Sequence, residues 1–201
     1  IWTTTPWTIP VNQAIAYGPE VEYCCVCFRP KEMAAFMSAE TPAPVLKDER
    51  RYLIIAVSLL DAFKTRFGWQ NDNVIWEGKG SDLAGTKAQH PIYKYLRHSR
   101  EGGNPTPKAR DGELDPRLRE GDDAWERQLA FYKKPRPFLP GDFVTTEQGT
   151  GLVHMAPDHG EDDFDLCKAN GIDPVFAVEG DGKYRADWAW PNPSQEGGQG
   201  S

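Results

Sequence analysis

The stretch Gly149-Thr150-Gly151-Leu152-Val153-His154-Met155-Ala156-Pro157-Asp158-His159-Gly160-Glu161-Asp162-Asp163-Phe164 constrains this chain most. Gly-Thr-Gly ahead of Leu-Val predicts a tight turn feeding a short buried strand, because glycine accepts the backbone angles of a turn. Pro157 and Gly160 end that strand and re-aim the chain. Asp162 and Asp163 then open a predicted helix over 163–170, closed by Gly171. Acidic side chains suit a helix start, and glycine after asparagine suits its end. Two histidines and the aspartates at 158, 162 and 163 therefore crowd one strand-to-helix turn, where polar groups can converge on a cleft.

A second segment stands far away in the sequence: Trp2-Thr3-Thr4-Thr5-Pro6-Trp7-Thr8-Ile9-Pro10-Val11-Asn12. Threonines favour strands, and Pro6 and Pro10 exclude a helix, so 1–12 reads as extended with a turn. In an extended run Thr3 and Thr5 share a face and Thr4 opposes them. Between the two segments, 13–17 and 21–28 predict strands joined by Gly18-Pro19, and 51–56 a further strand. Residues 57, 59, 60, 63 and 67 are apolar at helical spacing, ended by Gly68. A strand is expected over 73–77, one helical turn over 81–85, and an extended course to Tyr95. One helical turn is also expected at 32–37. Strands are expected at 129–132, around Phe138 and at 142–146, and a hairpin over 175–178 and 183–188.

With 17 prolines and 19 glycines among 201 residues, turns and short strands should dominate over long helices. The fold class expected is α+β, mainly β: a β-barrel-like domain with a few short flanking helices. One domain, 1–190, is expected. A mixed-charge stretch at about 97–125 has almost no apolar residues to offset its ordering entropy, and reads as a disordered insertion. Residues 191–201 read as a disordered tail.

No apolar run approaches the ~20 residues of a membrane helix, and no secretory signal is visible. The start at Ile-Trp-Thr, without methionine, reads as a piece of a longer protein. The net charge of −7 disfavours a stand-alone nucleic-acid binder. The one basic cluster, Lys133-Lys134-Pro135-Arg136, reads as a solvated loop ahead of an RNA contact. Cys24, Cys25 and Cys27 crowd one strand and lack a second ligand pair, so small apolar strand residues are expected rather than zinc or disulfides. A reducing cytoplasm follows.

Together the two long segments, in this order, resemble the signatures of the editing domain of isoleucyl-tRNA synthetases, the insertion called connective polypeptide 1. Valyl and leucyl editing domains resemble the chain less closely, since they carry a Thr-Thr-Arg-Pro element where this sequence reads Thr4-Thr5-Pro6-Trp7. The family's connection near 97–125 is usually much shorter. The resemblance implies a mainly β barrel that hydrolyses valine mis-esterified to isoleucine tRNA, and by extension valyl-adenylate. Implied partners are the CCA end of isoleucine tRNA, valine, and the remainder of the synthetase with its ATP-binding core. Neither a His-x-Gly-His nor a Lys-Met-Ser-Lys-Ser element is present in the chain, so amino-acid activation is not expected of it.

The resemblance gives Asp163 the catalytic-site role of holding the substrate's α-ammonium; unaided, the residue reads as a helix-start charge. Thr4 and Thr5 are implied at the hydrolytic water, and Thr3 at the terminal adenosine. His154 is implied against the substrate side chain and ribose, Asn12 as a substrate contact or brace, and Trp7 as packing or an adenine-side wall. No Ser or Cys nucleophile is paired with a base, so water attack is the simpler chemistry. No cofactor and no metal is expected, although His154, His159 and Asp163 could be drawn as the site of a metal-dependent hydrolase. The same residues also admit an acceptor-end binding module without catalysis, or a valyl- or leucyl-type editing domain.

Overall fold

A computed structural model describes residues 1, 3–28, 50–69, 73–94, 96 and 126–185. The expectations for 32–37, 97–125 and 191–201 lie outside the described residues. Two compact units emerge: Ile1–Thr86 with Pro137–Pro174, and Lys87–Arg136 with Val175–Ser201.

The first unit contains two small sheets, each backed by one helix. In the first sheet, β1 (Ala14–Tyr17) pairs antiparallel with β7 (Leu152–Met155) and in parallel with β6 (Arg136–Pro140), through Phe138, Leu139 and Pro140, which lie in this unit. In the second, β2 (Glu22–Phe28) lies between β3 (Arg51–Ala56) and β4 (Val74–Lys79), antiparallel to both. The expected strands on either side of Gly18-Pro19 are thus present but enter different sheets. The architecture is α+β, mainly β with short helices, as expected; among the described residues the sheets stay separate and close no barrel.

Helix α1 (Val57–Phe67) covers the second sheet, where Leu60 and Trp69 pack with Cys24, Val26 and Ile55. Helix α2 (Glu161–Ala169) covers the first, where Cys167 packs with Ala14, Ala16 and Met155. Each fully buried large apolar side chain contributes roughly 1.5–3 kcal/mol. Both helices end by one device. Gly68 (φ 61°) and Gly171 (φ 70°) turn left-handed, and the next residue's N–H reaches back, Trp69 to Lys64 O and Ile172 to Cys167 O, both at 2.9 Å. Trp69 and Ile172 then fold onto the cluster their helix covers. Cys24 and Cys27 are buried in β2 as the small apolar strand residues expected, Cys25 is only partly buried, and Cys167 of α2 packs in the same manner. Burial pushes the Cys167 thiol up to about 12.

The two sheets are tied at the turn that opens β7. Tyr23 hydroxyl accepts from Gly18 N at 3.0 Å and donates to Gly151 O at 2.5 Å. Ala56 N donates to Thr150 O at 2.8 Å. Gly151 has φ 73°, and a Cβ there would stand 2.7 Å from Ala56 Cβ. The glycine is required on both counts.

The structure corrects several local expectations. Pro6–Val11 is a 3-10 segment, not extended chain. Pro6 occupies its first position, where no N–H is needed, and Thr8 N closes on Thr5 O at 2.9 Å. Residues 142–146 form a turn, with Val144 N on Gly141 O at 3.2 Å.

In the second unit, β5 (Lys87–Ala88) is brief, and 91–94 are helical where extended chain was expected. His90 Nδ1 accepts from Ile92 N at 3.2 Å and so caps that turn. Residues 126–133 are helical, not a strand over 129–132. Lys133 and Lys134 are exposed, but Arg136 is buried, unlike the solvated loop expected. Its Nη1 donates to Phe131 O at 3.0 Å and Lys134 O at 2.6 Å, and the guanidinium lies 4.5 Å from the Phe131 ring. Arg136 thus caps the helix's last carbonyls, and burial pulls its pKa down to about 10. Of the expected hairpin over 175–178 and 183–188, the described residues, which end at 185, carry a single bridge, Val178 with Tyr184, turned at Gly182 (φ 81°).

Candidate active site

Thr3, Thr4 and Thr5 from the opening segment, His154 from β7 and Asp163 from α2 line one cavity of about 460 Å³. That volume suits a small-molecule site. Two segments about 150 residues apart in sequence meet because Ile15 of β1 pairs with His154 of β7. The chain arriving at Asn12 is therefore laid beside the chain leaving at Ala156.

A continuous hydrogen-bond network fixes the threonine side. Asn12 Nδ2 donates to Ala14 O and to His154 Nδ1, each at 2.8 Å. An amide nitrogen cannot accept, so Nδ1 is the acceptor and the ring proton sits on Nε2. Nε2 then donates to Thr8 Oγ1 at 2.9 Å. Thr8 gives its own proton to Thr5 O at 2.7 Å. It therefore accepts from Thr5 Oγ1 at 3.1 Å, and Thr5 accepts from Thr3 Oγ1 at 3.3 Å. Every hydroxyl in the chain has one consistent direction. Thr3 Oγ1 also accepts from Thr5 N at 3.0 Å.

Thr3 and Thr5 share a face, as the sequence predicts; Thr4 is exposed yet also lines the cavity. Asn12 and Thr8 are buried behind the cavity wall rather than in it. Asn12 is a brace for His154. Trp7 is 53% exposed and does not line the cavity. Sequence reasoning does not single out Thr8; only its place in the opening segment points to it.

The opposite wall is built differently. Asp163 Oδ2 accepts from Ala156 N at 2.7 Å, holding the carboxylate across the turn after β7. Its Oδ1 has no hydrogen-bond partner among the described residues. Burial holds the Asp163 carboxyl above its ordinary value, the Ala156 bond opposes this, Asp162 adds to it, and His159 lowers it. Asp158 is likewise raised by burial, opposed by His159, whose Nε2 lies 3.6 Å from Asp158 Oδ2. That Nε2 is buried without a hydrogen bond. Gly160 stands against Asp163: a Cβ there would lie 3.2 Å from its Cγ.

A third wall, Phe143, Thr145, Glu147 and Gln148, escapes sequence reasoning, since part of it lies in the turn whose residues favour a strand. Glu147, Asp162 and Asp163 give the lining three carboxylates, and no Lys or Arg is among the lining residues. The cavity is electrostatically built for a cation. Both ring nitrogens of His154 are engaged, and among the described residues no three His, Cys, Asp or Glu side chains cluster as metal ligands. No helix among the described residues is long and apolar enough to cross a membrane.

Comparison with known proteins gives the chain its relatives. No family model matches it. It is 44% identical over 191 residues to the isoleucine–tRNA ligase of Zymomonas mobilis, covering 94% of this chain and 15% of that protein. It is 36% identical over 188 residues to the isoleucine–tRNA ligase of Gluconobacter oxydans, again covering 94% and 15%. A solved structure described as "The crystal structure of GlLeuRS-CP1" aligns with a TM-score of 0.44 at 17% identity, over 85% of this chain and 48% of that one. The chain spans about 15% of the length of the curated relatives it matches, and over 94% of its own length it is homologous to isoleucine–tRNA ligases.

Proposed function

We propose that this chain is the editing segment of an isoleucine–tRNA ligase, and that its cavity hydrolyses valine esterified to the terminal adenosine of isoleucine tRNA. The observation that carries this reading is the meeting of Thr3–Thr5 with Asp163 across a cavity whose charged lining is wholly acidic. Homology to isoleucine–tRNA ligases supplies the reaction's context. The rest of the synthetase and the CCA end are the partners under this reading, in the cytoplasm.

A missing methylene distinguishes substrates only weakly in a binding pocket. Isoleucine–tRNA ligases are the worked case of that limit, at about 150-fold, a general figure and not one obtained from this chain. A second, hydrolytic pocket answers it by steric exclusion of the larger side chain.

Asp163 Oδ1 would accept the α-ammonium in a charge-assisted bond while Oδ2 stays on Ala156 N. Burial makes the ionised carboxylate costly until a cation arrives, so the ammonium is bound preferentially. Thr4 and the ends of the Thr3–Thr5 chain would orient the attacking water and the adenosine. His154, held on one tautomer by Asn12 and Thr8, forms a rigid wall against the substrate side chain. Valyl-adenylate would present the same ammonium to Asp163.

The test is deacylation of valyl- and isoleucyl-tRNA of the isoleucine acceptor, with and without chelator. Selective loss of the valyl ester, indifferent to chelator and abolished in Asp163→Ala, is expected. Binding without hydrolysis, or chelator sensitivity, would sink the reading.

A further inference from the structure

A second cavity of about 550 Å³ shares Glu147 and Gln148 with the first. One of its walls is a stripe of α1: Leu59, Ala62, Phe63, Arg66 and Phe67, spaced three and four apart and so on one helix face. The Phe63 and Phe67 rings stand 4.5 Å apart at 41°, and Arg66 is the one cation in the lining. The facing turn brings the Gln148 amide and Thr150, whose buried hydroxyl has no hydrogen-bond partner.

The two cavities differ in electrostatic design: the second sets Arg66 against the shared Glu147, where the first holds carboxylates and no cation. The first has three carboxylates and no cation in its lining, so it suits an ammonium ester and repels phosphate. Yet any terminal adenosine of an RNA is followed inward by a phosphate and another base. The second cavity offers what that next nucleotide needs: aromatic rings for a flat base, and a guanidinium for its phosphate. The shared Glu147-Gln148 wall places the two sites in adjoining positions, as consecutive nucleotides require.

We propose that the second cavity receives the nucleotide preceding the terminal adenosine, with its base against Phe63 and Phe67 and its phosphate on Arg66. This rests on the editing reading of the first cavity. Ala62, exposed on the stripe, guards the slot's volume, and a larger side chain there would fill it.

The experiment uses two short RNA hairpins ending in valyl-adenosine, one intact and one abasic at the penultimate position. With the intact protein, kcat/KM on the base-bearing RNA should exceed that on the abasic one by at least about fivefold, the low end of base–aromatic stacking, and through KM. In Ala62→Leu and in Phe67→Leu that ratio should fall to about one. A second readout needs no catalysis: 2-aminopurine at the penultimate position of an amide-linked, non-hydrolysable analogue should be quenched on binding, and less so in Ala62→Leu. Equal efficiency on both RNAs, with no quench, overturns the second site and leaves the first standing. Hydrolysis of neither RNA refutes the first site, and the quench then decides the second: retained and lost with Ala62→Leu supports it, absent overturns it.

Discussion

The two long walls of the first cavity are made of similar residue types and behave in opposite ways. On the His154 side two runs of hydrogen bonds, Asn12 to His154 to Thr8 and Thr3 to Thr5 to Thr8, converge on Thr8, which passes its own proton to Thr5 O. On the Asp163 side, one carboxylate oxygen is held by Ala156 N, while Oδ1 and His159 Nε2 have no hydrogen-bond partner among the described residues. A satisfied network rigidifies and specifies shape; a partly satisfied one costs stability and stands ready for a ligand. The difference assigns geometry to one wall and binding energy to the other, so substitutions on the two should separate stability from activity.

The largest effect expected is on hydrolysis in Asp163→Asn. Losing a charge-assisted bond to an ammonium costs roughly 1.5–3 kcal/mol, about 10- to 150-fold in kcat/KM on valyl-tRNA. The melting temperature should hold or rise, because a buried carboxylate is exchanged for a neutral amide that can still accept from Ala156 N. A lowered melting temperature in Asp163→Asn would place this wall among the structural ones and erase the contrast.

His154→Ala comes next, with the effects reversed. It removes two buried hydrogen bonds, one to Thr8 and one from the Asn12 amide, while Thr8 keeps Thr5 and Asn12 keeps Ala14 O, and each loss costs about 0.5–1.5 kcal/mol. Urea unfolding should show that loss in the midpoint at unchanged slope. Asn12→Ala added to His154→Ala should cost less than it does alone, since the two residues share one bond.

The contrast also has a pH signature. Burial raises the folded Asp163 pKa above its ordinary value of 3.8, so folding favours the protonated acid. Its stabilising share is complete below the unfolded pKa and is lost as pH rises through the folded one. Asp163→Asn should therefore gain on the native protein as pH rises from about 4 towards neutrality, read as a growing difference in unfolding free energy. The same shift should move the acid limb of the hydrolysis profile upward from that of an unburied aspartate.

Much of this contrast is legible in the residues, but unevenly. The helix over 57–67 and its glycine stop are readable because apolar periodicity and left-handed glycine are local signals. So is the convergence of the two motifs, through resemblance rather than spacing. The turn over 142–146 is not. Its Phe-Val-Thr-Thr text fits a strand, yet Gly141 N is claimed by Tyr17 O, a bond no local pattern reveals. Thr8 escapes for the same kind of reason: its partner, His154, is 146 residues away. Pro10 argues against any helix, but a short 3-10 segment has few bonds to lose.

The smallest predicted effect discriminates best, because it compares neighbours in one wall. Thr5 gives its proton to Thr8 and accepts from Thr3; Thr4, exposed, makes no hydrogen bond within the Thr3–Thr8 chain. Valine keeps threonine's shape and removes the hydroxyl. Thr5→Val should cost about 1 kcal/mol of stability. Thr4→Val should stay within about 0.5 kcal/mol of the native protein, yet still slow hydrolysis of the valyl ester if its hydroxyl meets water or substrate. Equal stability losses in both would mean that the whole threonine run is scaffold. Equal activities in Thr4→Val and the native protein would move the water to Asp163's wall and leave the threonines as shape alone.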